Sequence, residues 1–413
     1  MRVYVRLVVL CLFSSALIAS LTACNLFGGS NLTTPTPPHT PLPKGTMNYA
    51  VADTYNNRVL IYNIPFSTDE SASVVLGQAD LTSNVFSAAA ANTFDYPTSA
   101  AVDSSDNLYV ADYENCRVLQ FKPPFTNNMN ASVVIGEPDF TTSSCGTSAS
   151  ALGSAYTVAI DGDGDLWVAD TGNSRIVEFV PPFSNGMSAS LVIGQASLSS
   201  TAGCNQGGTP TASTLCGQVG ITFDANGNLW VADEGNSRVL EYKPPFSNDM
   251  AASLELGQPS GATAFTSNTG NNGGLSATSL DYPVQPAFDG DGNLWVVDYV
   301  NNRVLEYVPP FSNGMAATLE LGQPSGATAF TTGTQNTSQS GFYYPWSISI
   351  DTSGNIQVID FDNNRVMIFK PPFSNGMNAT AVFGQADFTS GTANQGGSVA
   401  ANTLYQPLGV VAY

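Results

Sequence analysis

Between residues 47 and 413, hydrophobic and polar positions alternate in short runs that clusters of Gly, Asn, Asp and Pro interrupt. The second such group of runs covers 99–102, 108–111, 117–122 and 131–135. Alternation with a period of two residues, bounded by turn-forming residues, predicts short antiparallel β-strands. The Pro123-Pro124 pair follows the third run, and proline cannot donate a hydrogen bond inside a central strand. This pair therefore marks a strand exit.

One phrase, V-(A/V/I)-D-x-x-N-x-R-(V/I), occurs six times, and successive copies are 59, 58, 63, 65 and 62 residues apart. Self-similarity at such a period predicts a repeat fold with one supersecondary unit per copy, and four short strands per unit describe a propeller blade. The aspartate and arginine of each copy flank a tight turn, so we interpret each pair as a structural ion pair that clips two strands together. The pairs are Asp53 and Arg58, Asp112 and Arg117, Asp170 and Arg175, Asp233 and Arg238, Asp298 and Arg303, and Asp360 and Arg365.

The two ends of this region are complementary. Residues 48–51 align with the second strand of a unit, so the first unit lacks its first strand. Residues 407–412 align with the first strand at 97–102, and no second strand follows them in the sequence. An open array would leave an unpaired edge at each end. The pattern predicts an all-β, six-bladed β-propeller with four antiparallel strands per blade, in which the C-terminal strand completes the N-terminal blade.

The phrase V-A-D-x-x-N-x-R-V after D-x-x-G-N-L-(Y/W) resembles the NHL repeat, whose known folds are six-bladed propellers. The resemblance covers residues 47–413, and the stretch 384–397 resembles the long-repeat bacterial members of that family. Each unit carries about twenty additional residues before the next first strand, for example 78–96 and 258–282. We expect these inserts to form a binding face on a ring that folds without them.

Residues 1–23 have the pattern of an export signal, with Arg2 and Arg6 before an apolar run at 7–20. The ending Leu21-Thr22-Ala23-Cys24 resembles the lipobox of bacterial lipoproteins, which implies acylation of Cys24. The alternative is an ordinary signal peptide with an incidental cysteine. Residues 24–46 are rich in Pro, Thr and Gly and predict a linker. We therefore expect an exported protein of the bacterial cell envelope that is held to a membrane by lipid alone.

Four further cysteines, an even number in an exported chain, predict two disulfides with three open pairings. They are Cys116, Cys145, Cys204 and Cys216. Cys116 falls in a turn between the second and third strands, and Cys145 falls in the adjoining insert, on the same face of a propeller. Cys204 and Cys216 share one insert. Proximity favours Cys116–Cys145 and Cys204–Cys216, and free thiols are the alternative.

Composition and charge exclude several functions. The net charge of −20 and the pI near 4.1 argue against nucleic acid as a partner. His39 is the single histidine, which argues against chemistry built on histidine ligands or a histidine base. The acidic turns at 161–165 and 289–293 resemble calcium loops, but Leu166 and Leu294 stand where an EF-hand requires glycine. We interpret both as hairpin turns and expect no cofactor, with Ca²⁺ as the remaining alternative.

The innermost strands predict a channel without catalytic groups, because none contains a carboxylate or a histidine. They are 99–102, 157–160, 220–223, 284–288, 347–350 and 409–412. Only Asp95 and Asp281 stand just before such strands. We interpret Trp167, Trp230 and Trp295 as packing between blades. We therefore expect no catalytic residue and no metal site.

Four aromatic residues lie among Asn, Ser, Thr and Gly in the turns of one face, where rigid rings in small polar surroundings suit ligand contact. They are Tyr55, Tyr113, Tyr299 and Phe361. The alternative is that these rings only cover neighbouring inserts. The sequence thus favours a monomeric, lipid-anchored scaffold that binds a protein or a glycan. A metal-dependent propeller hydrolase or lactonase, and a purely structural surface protein, remain the alternatives.

Overall fold

The computed structural model describes residues 48–63, 67–200 and 202–413. Six four-stranded antiparallel sheets form six blades, numbered here in chain order. The first blade contains β24 (Gly409–Ala412), β1 (Asn48–Asp53), β2 (Arg58–Asn63) and β3 (Val74–Leu76). The second contains β4 (Pro97–Val102), β5 (Leu108–Asp112), β6 (Arg117–Phe121) and β7 (Val133–Ile135). The third contains β8 (Ala155–Ile160), β9 (Leu166–Asp170), β10 (Arg175–Phe179) and β11 (Leu191–Ile193).

The remaining blades repeat this order along the chain. The fourth contains β12 (Gln218–Phe223), β13 (Leu229–Asp233), β14 (Arg238–Tyr242) and β15 (Leu254–Leu256). The fifth contains β16 (Pro283–Phe288), β17 (Leu294–Asp298), β18 (Arg303–Tyr307) and β19 (Leu319–Leu321). The sixth contains β20 (Pro345–Ile350), β21 (Ile356–Asp360), β22 (Arg365–Phe369) and β23 (Ala381–Phe383). The fold is all-β and six-bladed, as the repeat pattern predicts.

The C-terminal strand closes the ring. β24 pairs antiparallel with β1 in a register that runs from Tyr49 opposite Ala412 to Ala52 opposite Gly409. The backbone N–H of Asn48 donates to the carbonyl of Tyr413 at 2.7 Å, and the N–H of Tyr413 donates back at 3.0 Å. The prediction that the last strand completes the first blade is confirmed.

The fourth strand of each blade is shorter than the hydrophobic pattern predicts. In the second blade it covers only Val133–Ile135 and not 131–135. The reason is that the N–H of Ala131 donates at 2.7 Å to the carbonyl of Ala91, which belongs to an insert and not to the blade. The side chain of Asn185 accepts a hydrogen bond at 3.0 Å from Val134, so a loop of the next blade covers this outer edge.

The blades pack through large aromatic side chains. Trp167, Trp230 and Trp295 are fully buried. Each lies nearly perpendicular to a phenylalanine of the following blade, with ring centroids 4.9 to 5.1 Å apart. Their indole N–H groups donate to Asp161, Asp224 and Asp289 at 2.9, 3.2 and 3.0 Å. The interpretation of these tryptophans as packing between blades is confirmed.

The six aspartate–arginine pairs lie inside the ring. In each pair the arginine Nε is 2.7 Å from the aspartate Oδ2, and both side chains are at most 1% exposed. The repeat asparagine donates to the same oxygen, as Asn115 does to Asp112 at 2.9 Å. The pairs have the geometry of the predicted structural clips.

The arginines also bind the inserts, which argues against a ring that folds without them. Arg117 donates through Nη2 to the carbonyls of Ala90 and Thr93, both at 3.0 Å. Its Nη1 donates to the carbonyl of Phe140 at 2.6 Å. One guanidinium thus holds the insert before its blade and the insert after it. Because the other five arginines make the same type of contact to two inserts, deleting an insert would leave buried N–H groups without acceptors.

One disulfide joins a turn of the second blade to the following insert, and the other lies within a single insert. Cys116 is bonded to Cys145 and Cys204 to Cys216, with Cα atoms 5.2 and 4.3 Å apart. These are the pairings that proximity favours, and they fit an oxidising, exported environment. The expected signal sequence at 1–23, the lipid on Cys24 and the linker at 24–46 lie outside the described residues. Helical segments in the described ranges are too short and too polar to qualify as membrane spans.

Candidate ligand-binding site

The channel through the ring has two different ends. The turns between second and third strands, which carry the clips, lie at one end together with the inserts, and we call this the upper face. The hairpin turns between first and second strands, such as 161–165, lie at the other end, the lower face. Every blade contributes to both faces, so equivalent repeat positions meet around the axis.

The lower part of the channel is a cavity of about 290 Å³. Its walls are the later residues of the first strands, including Ser99, Thr157, Thr222, Gln285 and Ser349. Hydroxyl, amide and aliphatic groups line it, and none of the described lining residues carries a carboxylate or an imidazole.

Two rings meet across the axis above this cavity. Tyr156 is the second residue of β8 in the third blade, and Trp346 is the second residue of β20 in the sixth. These blades stand opposite each other in a ring of six, yet the ring centroids are only 6.0 Å apart. The pair therefore forms the floor of the upper opening, and both side chains remain partly exposed.

The predicted aromatic residues surround this floor. Tyr113 lies 5.4 Å from Tyr156, and Tyr299 lies 4.8 Å from Trp346, at interplanar angles of 80° and 79°. Phe361 lies 5.7 Å from Trp346 and 6.5 Å from Tyr55. We call the resulting set the aromatic mouth; it consists of Tyr55, Tyr113, Tyr156, Tyr299, Trp346 and Phe361. The structure thus brings all four predicted rings together and adds two.

Further tyrosines support the wall from the inserts. Tyr96 and Tyr405 pack against Tyr55 with centroids 4.6 and 5.0 Å away, and Tyr344 stacks on Tyr299 at 4.7 Å. Tyr96 and Tyr344 hold positive φ angles of 60° and 53°. Gly217 occupies the equivalent place in the fourth blade with a φ of 59°, a conformation that costs glycine little and tyrosine about 1 kcal/mol or more. These strained tyrosines keep their rings beside the mouth.

Sequence reasoning missed Glu234, which follows the clip aspartate just as Tyr113, Tyr299 and Phe361 follow theirs. Burial is the main cause of the raised pKa of Tyr156 and Tyr299, and the charge of the Glu234 carboxylate raises both further. Burial, followed by the charge of Asp233, raises the pKa of Glu234 to about 7. Within the described part of the chain this carboxylate accepts no hydrogen bond. The mouth therefore contains one desolvated acid without a partner.

Other acids of the upper face are shifted in the same direction. Burial raises the pKa of Asp95, with a contribution from Glu114, and it raises that of Asp281, with a contribution from Asp298. Burial also raises the pKa of Asp362, although a hydrogen bond from Gln406 lowers it in part. The N–H groups of Asp95 and Asp281 donate to the clip aspartates at 2.7 and 2.8 Å. The backbone N–H groups of these two residues therefore help to hold the clip aspartates in place.

Among the described residues, one group of three carboxylates is close enough to share a cation, and it lies on the lower face. Oxygens of Asp161, Asp165 and Glu178 are all within 4.8 Å of one another. Asp161 already accepts hydrogen bonds from the N–H groups of Asp163 and Asp165 at 3.0 and 2.9 Å, as expected for a hairpin turn. With one oxygen from each residue, the three carboxylates would supply three of the six to eight oxygens that Ca²⁺ takes.

Asp165 is the exception in its repeat position. The second, fourth, fifth and sixth blades carry an asparagine there, and its amide donates to the first aspartate of the turn at 2.8 to 3.0 Å. In the third blade a carboxylate faces a carboxylate instead. Burial, then the charges of Asp161 and Glu178, raises the pKa of Asp165 to about 6.

We expect Asp165→Asn to stabilise the protein by on the order of 1 kcal/mol at pH 7.5, a value reduced for the partial exposure of the group. A pKa that is higher in the folded than in the unfolded protein means that stability falls as pH rises from about 4 to above 6. The substitution removes that fall, so the two proteins should differ at pH 7.5 and converge near pH 4. Urea unfolding in the presence of a chelator measures both.

The matched control is Asn293→Asp in the fifth blade, which creates the same carboxylate arrangement beside Asp289 and Glu306 and should lower stability at pH 7.5. A destabilised Asp165→Asn protein would contradict the interpretation. Repeating the titration with Ca²⁺ tests the remaining alternative, since a bound ion would stabilise the native protein and not the variant.

Comparison with known proteins gives the following relations. The NHL repeat model matches residues 94–121, 157–179 and 216–242. No curated protein matches the sequence. A streptogramin B lyase structure is 14% identical to this chain, with a TM-score of 0.38. The match covers 68% of this chain and 70% of the lyase chain.

Two Bacteroides structures are also similar to this chain. One is a protein of unknown function from Bacteroides caccae, with 10% identity and a TM-score of 0.49. The match covers 89% of this chain and 99% of the Bacteroides caccae protein. The other, from Bacteroides uniformis, has the proposed activity of a 6-phosphogluconolactonase, with 12% identity, 89% and 99% coverage and a TM-score of 0.47. At such identities and scores these structures carry no argument about function. The chain is a six-bladed β-propeller that contains NHL repeats.

Proposed function

We propose that this protein is a lipid-anchored binding scaffold that holds a protein or glycan ligand in the aromatic mouth. The observation that carries the proposal is the set of partly exposed rings that five blades bring together over the Tyr156–Trp346 floor. Aromatic rings supply large contact areas at low entropic cost, and the surrounding Asn, Ser and Thr side chains offer hydrogen bonds. A pre-formed surface of this kind loses little freedom on binding.

The N-terminal pattern and the disulfides support export and anchoring. The lipobox-like ending at Cys24 and the linker at 24–46 would tether the ring to a membrane of the cell envelope by lipid, and the disulfides fit that environment. The net charge of −20 disfavours nucleic acid. We propose a monomer, because pairing of β24 with β1 satisfies the strand edge that would otherwise be free.

Glu234 is the observation that favours the second candidate, a hydrolase or lactonase. A carboxyl with a pKa raised to about 7 suits general acid–base catalysis. In a metal-dependent enzyme of this kind, further ligands would have to approach Glu234, whereas the three clustered carboxylates of the described chain lie on the lower face. Turnover of lactones or esters that a chelator or Glu234→Gln abolishes would support this candidate over the scaffold.

The scaffold predicts that Tyr113→Leu, Tyr299→Leu and Phe361→Leu together lower binding to the ligands that the native protein selects from a glycan array and a peptide library. We expect a loss of at least about tenfold, because aromatic anchors dominate such contacts. Leucine preserves apolar packing, so the ring should stay folded, which circular dichroism and the unfolding midpoint would verify.

The control is the pair Val180→Ser and Val308→Ser, which alters two exposed apolar side chains at strand exits on the lower face. This variant should bind as the native protein does. Unchanged binding by the mouth variant, or an equal loss in the control, would contradict the proposal. Deletion of an insert is a poorer test, since the clip arginines lose acceptors with it.

A further inference from the structure

The mouth has the geometry of a cation-binding corner. Trp346 and Tyr299 stand nearly perpendicular, at 79°, with centroids 4.8 Å apart, and Tyr344 stacks behind Tyr299 at 4.7 Å. All three rings are partly exposed. A cation within about 6 Å of an aromatic face is attracted by the ring quadrupole, most strongly by tryptophan. Tyr344 covers one face of Tyr299, and Tyr156 and Phe361 flank Trp346 with centroids 6.0 and 5.7 Å away, so a compact cation would contact the exposed parts of Trp346 and Tyr299.

The charge of the upper face has the matching sign. Glu234 lies in the fourth blade, beside the fifth blade that carries Tyr299. Burial is the main cause of the raised pKa of Tyr299, and the charges of Asp362 and then Glu234 add to it; for Tyr156 the charge of Glu234 is the first cause after burial. Desolvation and the charge of Asp233 raise the pKa of Glu234, and no cationic group in the described chain lowers it. Glu114 and Asp362 add negative charge at the rim.

The described cations cannot neutralise this face. All six arginines are buried and paired with aspartate. Lys122, Lys243 and Lys370 follow the third strands, which run from the upper face to the lower face. Within residues 48–413 as described, no cation faces the mouth, so a cationic ligand would supply a charge that these residues do not.

We propose that the aromatic mouth binds an organic cation, with its ammonium group against Trp346 and Tyr299 and its charge paired with Glu234. This inference rests on the proposed binding function and specifies the ligand's chemistry. It favours a protein ligand that presents a lysine side chain over a neutral glycan. A cation brings both the ring contact and the missing counter-charge, whereas a neutral group brings at most the first.

Choline and its neutral isostere 3,3-dimethyl-1-butanol test the charge separately from the shape. Saturation-transfer NMR on the full-length protein follows the methyl resonance of either probe. Choline should bind at least about tenfold more tightly than the alcohol. Nα-acetyl-lysine amide should likewise bind more tightly than its form acetylated at Nε, which has no charge. This comparison tests the charge on a protein side chain.

Variants locate the site. Glu234→Gln and Trp346→Leu should each weaken choline binding by about fivefold or more. The controls Glu306→Gln on the lower face and Phe86→Leu on an exposed insert should bind as the native protein does. Glu234→Gln keeps the size of the side chain, so it remains informative if Trp346→Leu fails to fold.

Equal binding of choline and the alcohol would overturn the cation inference and leave the proposed scaffold standing. Choline binding that survives both mouth variants, or no choline binding, would also overturn it. The scaffold itself fails only if the mouth variant retains the ligands selected from the array and the library, so the two failures are distinguishable.

Discussion

Arg117→Leu is expected to lower the free energy of unfolding by about 3 to 5 kcal/mol, as for a buried ion pair that loses one partner. The substitution leaves the Asp112 carboxylate buried without its cation. It also removes the donors to the carbonyls of Ala90, Thr93 and Phe140, so two inserts lose their attachment. The shift of the urea midpoint, combined with the slope of the transition, measures the effect.

The matched control is Lys122→Leu, five residues along the same blade, where the side chain is exposed. Surface changes of this type usually stay within about 0.5 kcal/mol. A loss below about 1 kcal/mol for Arg117→Leu would mean that the clip is not a main source of stability. Asp112→Asn and the double variant complete a cycle that separates the pair from the insert contacts.

Removal of residues 408–413 is the second change with a large expected effect, and it should abolish the cooperative fold. The first blade would keep only β1, β2 and β3, and the edge of β1 that pairs with β24 would be open. The apolar faces of Val410 and Leu408, both nearly buried, would be lost from the inner wall. Size-exclusion chromatography with small-angle scattering should show an expanded or aggregated chain.

A permuted chain provides the control for this truncation. It carries residues 407–412 in front of Asn48, joined through the turn sequence 103–106 of the second blade, and it ends at Gln406. This chain restores all four strands of the first blade in one continuous hairpin order, so it should fold. A truncated protein as compact and as stable as the native one would contradict ring closure by β24.

The repeat phrase predicts most of the fold because it fixes local structure six times over. The Asp and Arg of each copy mark the turn, the Pro-Pro pair marks the strand exit, and the incomplete ends imply the closing strand. The disulfides follow from one cysteine pair in neighbouring loops and one pair within a single insert. The turns, strand exits and disulfides depend on residues that are close in the sequence. The closing strand follows from counting the strands of all six units.

The candidate site depends on relations that the phrase does not encode. Tyr156 and Trp346 meet because the third and sixth blades face each other, and the available signal was an aromatic residue at the same strand position in those two units. Glu234 occupies a position that holds Thr, Tyr or Phe in other blades, so its role emerges only once the mouth is assembled. The sequence does not predict the attachment of the inserts, because the arginines donate to backbone carbonyls, which every residue type provides.

Ligand binding in the mouth requires its rings to be an open surface and not a cover for the inserts. Of the four tryptophans, Trp346 is partly exposed, and Trp167, Trp230 and Trp295 are fully buried. Acrylamide quenching of tryptophan fluorescence, compared between the native protein and Trp346→Phe, tests this most directly. We predict one quenchable class that disappears with Trp346→Phe. Quenching that is unchanged in the variant would show that Trp346 is sealed and would contradict the account.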